Sequence, residues 1–201
     1  MILAYAVIFL LILALLLQRD VSAIGKVKVR GGKKLLVIVV GLYIAQAILV
    51  IFVPGQNTLQ MAILILSQIA LGFLFVLNRH LPGAKLFALG VFLNVLVMVA
   101  NGGWMPITPA TYQHVHPEWA TVEVGTRAPE SKNIVLPRAE TNLWILSDII
   151  PVFLPWRGWA VSIGDVFLIV GIAQFIFQTT SKREKITAKT TGGSISENKG
   201  N

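Results

Sequence analysis

Apolar residues along this chain come in five long runs, and charged residues are almost confined to the linkers between them. The first run covers residues 2–17. Residues 35–78 then carry no charge at all. That stretch is far longer than one membrane-crossing helix, which needs about 20 apolar residues. Pro54-Gly55-Gln56-Asn57 interrupts it with turn formers, so two helices are expected, 35–53 and 58–77, joined as a tight hairpin. A fourth helix is expected over 86–101, stopping at Gly102-Gly103, and a fifth over 162–179. The predicted class is an all-α integral membrane protein, a five-helix transmembrane bundle with an outer cap between helices four and five.

Charge gives this pattern a direction. The first linker holds Arg19, Lys26, Lys28, Arg30, Lys33 and Lys34, whereas the second is uncharged. The third holds Arg79 and Lys85, and the segment after Thr180 holds Lys182, Arg183, Lys185, Lys189 and Lys199. The fourth linker is mixed, with Arg127, Lys132, Arg138 and Arg157 against Glu118, Glu123, Glu130, Glu140 and Asp148. Lys and Arg collect on the cytoplasmic side of spanning helices. The expected threading therefore places the N-terminus outside and the basic linkers and tail inside, in the cell membrane. The first run also matches the apolar part of a signal peptide, with cleavage after Ala23, but its positive charge follows the apolar stretch instead of preceding it. That order favours a retained helix. Lys26, Lys28 and Arg30 alternate with Val27 and Val29, which would put three cations on one side of a short extended segment, either as a solvated topology signal or as a contact for acidic lipid or a partner.

Composition agrees: 55% of residues are hydrophobic and 13% charged. The formal charge of +8 lies on the predicted cytoplasmic face, which points to anionic headgroups and away from nucleic acid. With no Cys, disulfides, thiolate metal sites and cysteine nucleophiles are excluded. The membrane domain is expected over 1–181 and a disordered basic cytoplasmic tail over 182–201.

All five Trp and seven of the nine Pro fall in 102–159, the predicted extracytoplasmic cap. Trp favours membrane interfaces, where the ring is buried and its N–H is wet. Thr108-Pro109 reads as the cap and first turn of a short helix. Residues 121–125 look extended. Residues 143–150 look like a helical turn or two lying flat, with Leu143, Leu146, Ile149 and Ile150 inward.

Polar residues within the runs are Gln46, Gln60, Ser67, Gln68, Asn94, Asn101 and Gln174, none charged, and interhelical hydrogen bonding is their expected role. Ser162 and Asp165 have the spacing of a capping box. Asp148 and Asp165 are the one carboxylate pair worth weighing as a catalytic site, since two nearby carboxylates can share a proton. His80, His114 and His116 offer at most a weak metal set. His114 and His116 would point the same way on a strand, but a third ligand is not evident, and no metal or cofactor is expected.

Around these aspartates, Leu146-Ser147-Asp148-Ile149 and Ser162-Ile163-Gly164-Asp165-Val166 locally resemble lipoprotein signal peptidase, a membrane aspartic protease. That resemblance implies catalytic roles for Asp148 and Asp165. The chain departs from that family in lacking its Asn before the second Asp and its upstream Gly-Asn and Asp-Arg elements. A broader resemblance rests on Asn101-Gly102-Gly103-Trp104-Met105-Pro106, on residues 141–151 and on residues 162–166. There the chain is similar to a bacterial multi-pass membrane family known only as a domain of unknown function, which implies no activity.

The favoured expectation is a non-enzymatic binding or accessory subunit that acts through its cap, in contact with the bilayer and with a membrane-protein partner at the outer face. The surface expected to bind comprises Asn101, Gly102, Gly103, Trp104, Arg138, Glu140, Asn142, Trp144, Asp148, Ser162 and Asp165. Trp104 and Trp144 would be its apolar anchors, and Arg138 and Glu140 its charges. A membrane aspartic peptidase using Asp148 and Asp165 is the alternative. A transporter component, with helices two, three and four lining a path, is a further one.

Overall fold

The structure is a computed structural model, and it describes residues 2–117, 123–155 and 157–181. Five long helices dominate: α1 (Ile2–Leu16), α2 (Gly32–Phe52), α3 (Thr58–Leu77), α4 (Ala84–Ala100) and, after a short α5 (Pro109–Val115), α6 (Ile163–Thr179). The all-α expectation needs correcting. Four short strands lie between α4 and α6: β1 (Met105–Ile107), β2 (Asn133–Val135), β3 (Ile150–Leu154) and β4 (Arg157–Val161). β1 pairs parallel to β2, and β3 pairs antiparallel to β4. The Pro-rich segment cannot run as long helices because each internal Pro removes a backbone donor and fixes φ. Short ladders supply its hydrogen bonds instead.

Helices α2 and α3 are long and apolar enough to cross a membrane, whereas α1, α4 and α6 are apolar but shorter, at 15, 17 and 17 residues. In space α2 packs on α3, α3 on α4, α4 on α6 and α6 on α1. Helix α2 begins earlier than its apolar run suggested, so that Lys33 and Lys34 lie in its first turn. Helix α3 has the expected bounds. Asn57 and Gln60 form a capping box at its start, and the Gln60 side chain also donates to Leu49 O and Val53 O of the preceding turn (3.1 and 2.7 Å).

The α4–α6 contact is the tightest. Gly83 and Gly90 face Gly171 and Gly164 across an antiparallel seam, each pair seven residues apart in sequence. A Cβ on Gly83 would lie 1.9 Å from Gly171 O, and one on Gly90 would lie 2.5 Å from Gly164 O. Glycine here permits backbone-to-backbone approach, as small residues do where helices associate in lipid. Asn94, buried on α4, fastens the seam. Its Nδ2 donates to Asp165 Oδ1 (2.8 Å), and its Oδ1 accepts from Ser162 Oγ (2.8 Å). Ser67 donates to Gln46 across α3 and α2. These bonds give Gln46, Gln60, Ser67 and Asn94 the interhelical role expected of them.

Helix C-termini leave carbonyls without partners, and polar side chains cover them. Arg127 Nη1 and Nη2 donate to Val50 O and Val53 O at the end of α2 (3.2 and 2.6 Å). Asn78 Nδ2 donates to Leu74 O of α3 and to Arg30 O (2.8 and 3.1 Å). Arg19 Nη1 donates to Phe177 O of α6 (2.7 Å) and to Thr180 O. A cation at a helix C-terminus also opposes the helix dipole. The same contacts sort the connections. Arg30 meets Asn78, and Asp20 N donates to Ser181 O, at one end of the bundle. The α2–α3 turn, the segment between α4 and α6, and Tyr5 near the start of α1 (5.2 Å from Trp159, ring to ring) lie at the other.

The expectations for residue 1, for Trp119 and Trp156, for an extended start at 121–122 and for a disordered tail over 182–201 fall outside the described residues. An alanine at Gly90 or Gly164 should destabilise the protein by about 1–3 kcal/mol through overpacking. Gly41→Ala, where nothing lies within 4 Å of the added carbon, should be neutral or slightly stabilising. Thermal unfolding in mild detergent measures both.

Candidate functional site

The described segment between α4 and α6, here the cap, is fixed to α4 by a reciprocal asparagine pair. Asn101 Nδ2 donates to Asn142 O, and Asn142 N donates to Asn101 Oδ1, both at 2.9 Å. Asn142 Nδ2 adds a bond to Ala100 O (3.0 Å). Gly102 and Gly103 follow in the left-handed region, φ +71° and +87°, and Gly103 N reaches back to Met98 O (2.7 Å). This is a Schellman-type stop, which explains why the chain leaves α4 sharply there. Trp104 and Met105 then turn inward onto Leu64, Val97 and Met98.

Trp104 is therefore no exposed anchor. It is 5% exposed in the core, and the Arg127 guanidinium lies over its ring, 5.6 Å from the centroid. Burial holds the Arg127 pKa below its ordinary value. Trp144, by contrast, is half-buried, with Arg138 stacked 3.6 Å from its centroid. The pair has cation–π geometry, worth about 0.5–1 kcal/mol at an exposed site. The expected surface thus splits in two. Gly102, Arg138, Glu140 and Asn142 are exposed, with Trp144 and Asp165 half-buried, whereas Asn101, Gly103, Trp104, Asp148 and Ser162 are interior.

Residues 143–150 are not a flat helix. Leu143 has φ +53° and is exposed, Trp144–Leu146 is a single 3-10 turn, and Ile150 opens β3 facing outward. Leu146 does pack inward, and Ile149 is half-buried. Helix α5 starts as expected, with Thr108 Oγ1 accepting from Thr111 N (3.1 Å). His114 and Val115 therefore close a helix, with His116 at its C-cap, so the strand geometry that would have aligned the two rings is absent there. The rings do not point the same way, because His114 is exposed and meets Phe153 edge-on.

Asp148 is 2% exposed. Its backbone N–H donates to Pro106 O (3.1 Å), and its Oδ2 accepts from Asn133 Nδ2 (2.7 Å). Oδ1 is buried without a hydrogen-bond partner. Burial pushes the Asp148 pKa from 3.8 up to about 7, and the Asp165 charge adds to the rise. Lys132 and the Asn133 hydrogen bond oppose it. Burial works to lower the Lys132 pKa, but the charges of Asp165 and Asp148 outweigh it and raise the value. Asp148 thus feels the charges of both Asp165 and Lys132. No hydrogen bond joins their carboxylates among the described residues, however, and Asp165 is occupied by Asn94 and by the Ser162 capping box, which forms as its spacing predicted. Lys132 and Asn133 were not singled out in sequence. Lys132 precedes β2 and Asn133 opens it, and the parallel pairing of β2 with β1 carries them to Asp148.

A family of unknown function, DUF5317, matches residues 26–177, from just before α2 to near the end of α6. The chain belongs to DUF5317. It is also similar to an uncharacterized protein of Thermotoga maritima, 32% identical over 124 residues that cover 59% of this chain and 67% of that protein. No solved structure is significantly similar to it. The DUF5317 match takes in the Asn101–Asn142 clasp, the glycine seam and the Asp148 cluster, and leaves out α1.

Between about pH 4 and pH 7 the folded protein keeps a proton on Asp148 that an unfolded chain has already released. This group's contribution to stability therefore declines as pH rises through that window and levels off above it. Asp148→Asn should remove the decline. The difference in unfolding midpoint between the variant and the unmodified protein should grow in the variant's favour from about pH 5 to about pH 8.

Proposed function

We propose that this chain is a multi-pass integral membrane protein that works as a binding or accessory component through its cap, without catalysing a reaction. The supporting observation is an inverted distribution of polarity. Val37, Ile38, Ile44, Ile48 and Phe52 of α2, and Phe73 and Phe92 of α3 and α4, are exposed, while Gln60, Ser67, Gln68 and Asn94 are buried. In water such a surface would aggregate. In hydrocarbon it is the low-energy arrangement, since each polar group needs an internal partner. Helix α1 and the 17-residue α4 and α6 lie at or below the short end of the spanning range, and the cap and basic linkers border them.

The reading places the basic end, with Lys33, Lys34, Arg79 and Lys85, in the cytoplasm and the cap outside. Arg138 and Trp144, flanked by the exposed Leu143 and Ile145, form the rim available to a partner. The absence of Cys makes the topology directly testable. Glu123→Cys should react with an impermeant maleimide in intact cells, whereas Lys33→Cys should react only after lysis. Both proteins should stay with the membrane in alkaline carbonate. The opposite labelling order, or extraction by carbonate, would overturn the reading.

The raised Asp148 pKa beside the Asp165 charge favours one second reading, the aspartic peptidase. It would need the two carboxyls to leave Asn133 and Asn94 and share a proton. Asp148→Asn and Asp165→Asn, produced in cells lacking the native copy, separate the readings. On the binding reading a well-folded Asp148→Asn protein supports normal growth, and on the peptidase reading it behaves as a deletion.

A further inference from the structure

We infer that the β3–β4 hairpin is seated in the outer leaflet of the bilayer, at the boundary between headgroups and acyl chains, where it fills a step in the outer end of the bundle. The step comes from unequal helices. Helices α2 and α3 reach about 30 Å, the thickness of a hydrocarbon core, whereas α1 reaches about 22 Å and α6 about 26 Å. The shortfall lies at the cap end. Ser162 and Asp165 both bond Asn94, so α6 begins beside Asn94 and about 9 Å short of the end of α4 at Ala100. Leu3 packs against Phe87, Val91 and Leu168, so α1 begins lower still. Strand β4 ends at Val161 and Ser162 caps α6, so the hairpin stands directly on α6, over the step. Its two faces differ. On one, Phe153 meets His114, and Gly158 lies so close to α5 that a Cβ would sit 2.5 Å from Val115 O. The register puts Ile150, Val152, Leu154 and Trp159 on the other, with Arg157 at the tip. These five are half-buried or exposed, and Trp159 meets Tyr5 near the start of α1. Trp and Tyr favour the interface, and a long Arg side chain can carry its charge from an apolar surface toward the headgroups. A two-stranded ribbon leaves edge groups unpaired, which hydrocarbon forbids and the wetter boundary permits.

This seating rests on the membrane reading above, and a single experiment separates the two. The chain has no Cys, so single spin labels can be placed through Val152→Cys and Leu154→Cys on the hairpin, Leu66→Cys on the exposed side of α3 and Glu123→Cys on the cap. The full chain is reconstituted in vesicles of phosphatidylcholine and phosphatidylglycerol. Collision of each label with oxygen, which concentrates among acyl chains, is compared with collision with a water-soluble nickel chelate. The oxygen-to-nickel ratio should be highest for Leu66→Cys and lowest for Glu123→Cys. Both hairpin labels should fall between them, several-fold above Glu123→Cys. Unfolding midpoints check that the variants fold, and either hairpin position alone suffices to read the depth. Hairpin ratios equal to that of Glu123→Cys, with Leu66→Cys keeping its oxygen preference, would put the hairpin in water and overturn the seating while the membrane reading stands. Hairpin labels shielded from both reagents would mean that protein, such as a second copy of this chain, covers the face, and would also overturn it. Free access of the nickel chelate to Leu66→Cys would remove the membrane reading and the seating together.

Discussion

Backbone contact between α4 and α6 is the constraint from which the rest of the architecture follows. Two glycines on each helix remove the side chains that would hold the axes apart, and the carbonyl of one helix then lies where a Cβ of the other would be. Such an approach excludes lipid and water alike, so polar groups within it must satisfy one another. Asn94, Ser162 and Asp165 do so in a closed network at the cap end of the seam. At the opposite end the same closeness forbids a cap on α4. One packing decision thus sets a polar network at one end and a glycine N-cap, with no capping side chain, at the other.

The cap depends on that geometry. Its clasp, Asn101 with Asn142, sits about two turns beyond the seam, and Arg127 extends its hold to α2, a helix whose flanks are otherwise nearly bare. The cap is therefore bolted to the ends of α4 and α2 through side chains that accept from or donate to otherwise stranded backbone groups. Each such bond is modest, but an unmade one in an apolar setting costs several times more. The Asp148 cluster is the exception. It keeps a carboxyl oxygen without a partner in the interior of the cap, and its elevated pKa reflects that cost.

Much of the helical framework was legible because it rests on local rules. Long apolar runs, turn formers at Pro54-Gly55 and Gly102-Gly103, and the Ser162–Asp165 and Thr108–Pro109 cap spacings each act within a few residues, and the corresponding helices form with bounds close to those expected. The cap was less legible. Its Pro and Trp content set it apart from the apolar runs, but which tryptophan is buried depends on what packs above it. Trp104 and Trp144 look alike in sequence. One follows a sharp helix stop into the core, and the other follows a left-handed Leu143 out to the rim.

The sequence by itself settled where helices run and which linkers carry positive charge, since both follow from the composition of contiguous stretches. It also placed Asp165 in a capping box, a three-residue interaction. Tertiary structure alone decided that Gly83 and Gly90 meet Gly171 and Gly164 and that Asn133 and Lys132 come to Asp148. These are encounters between residues distant along the chain, and their partners are chosen by three-dimensional packing, to which no local periodicity points.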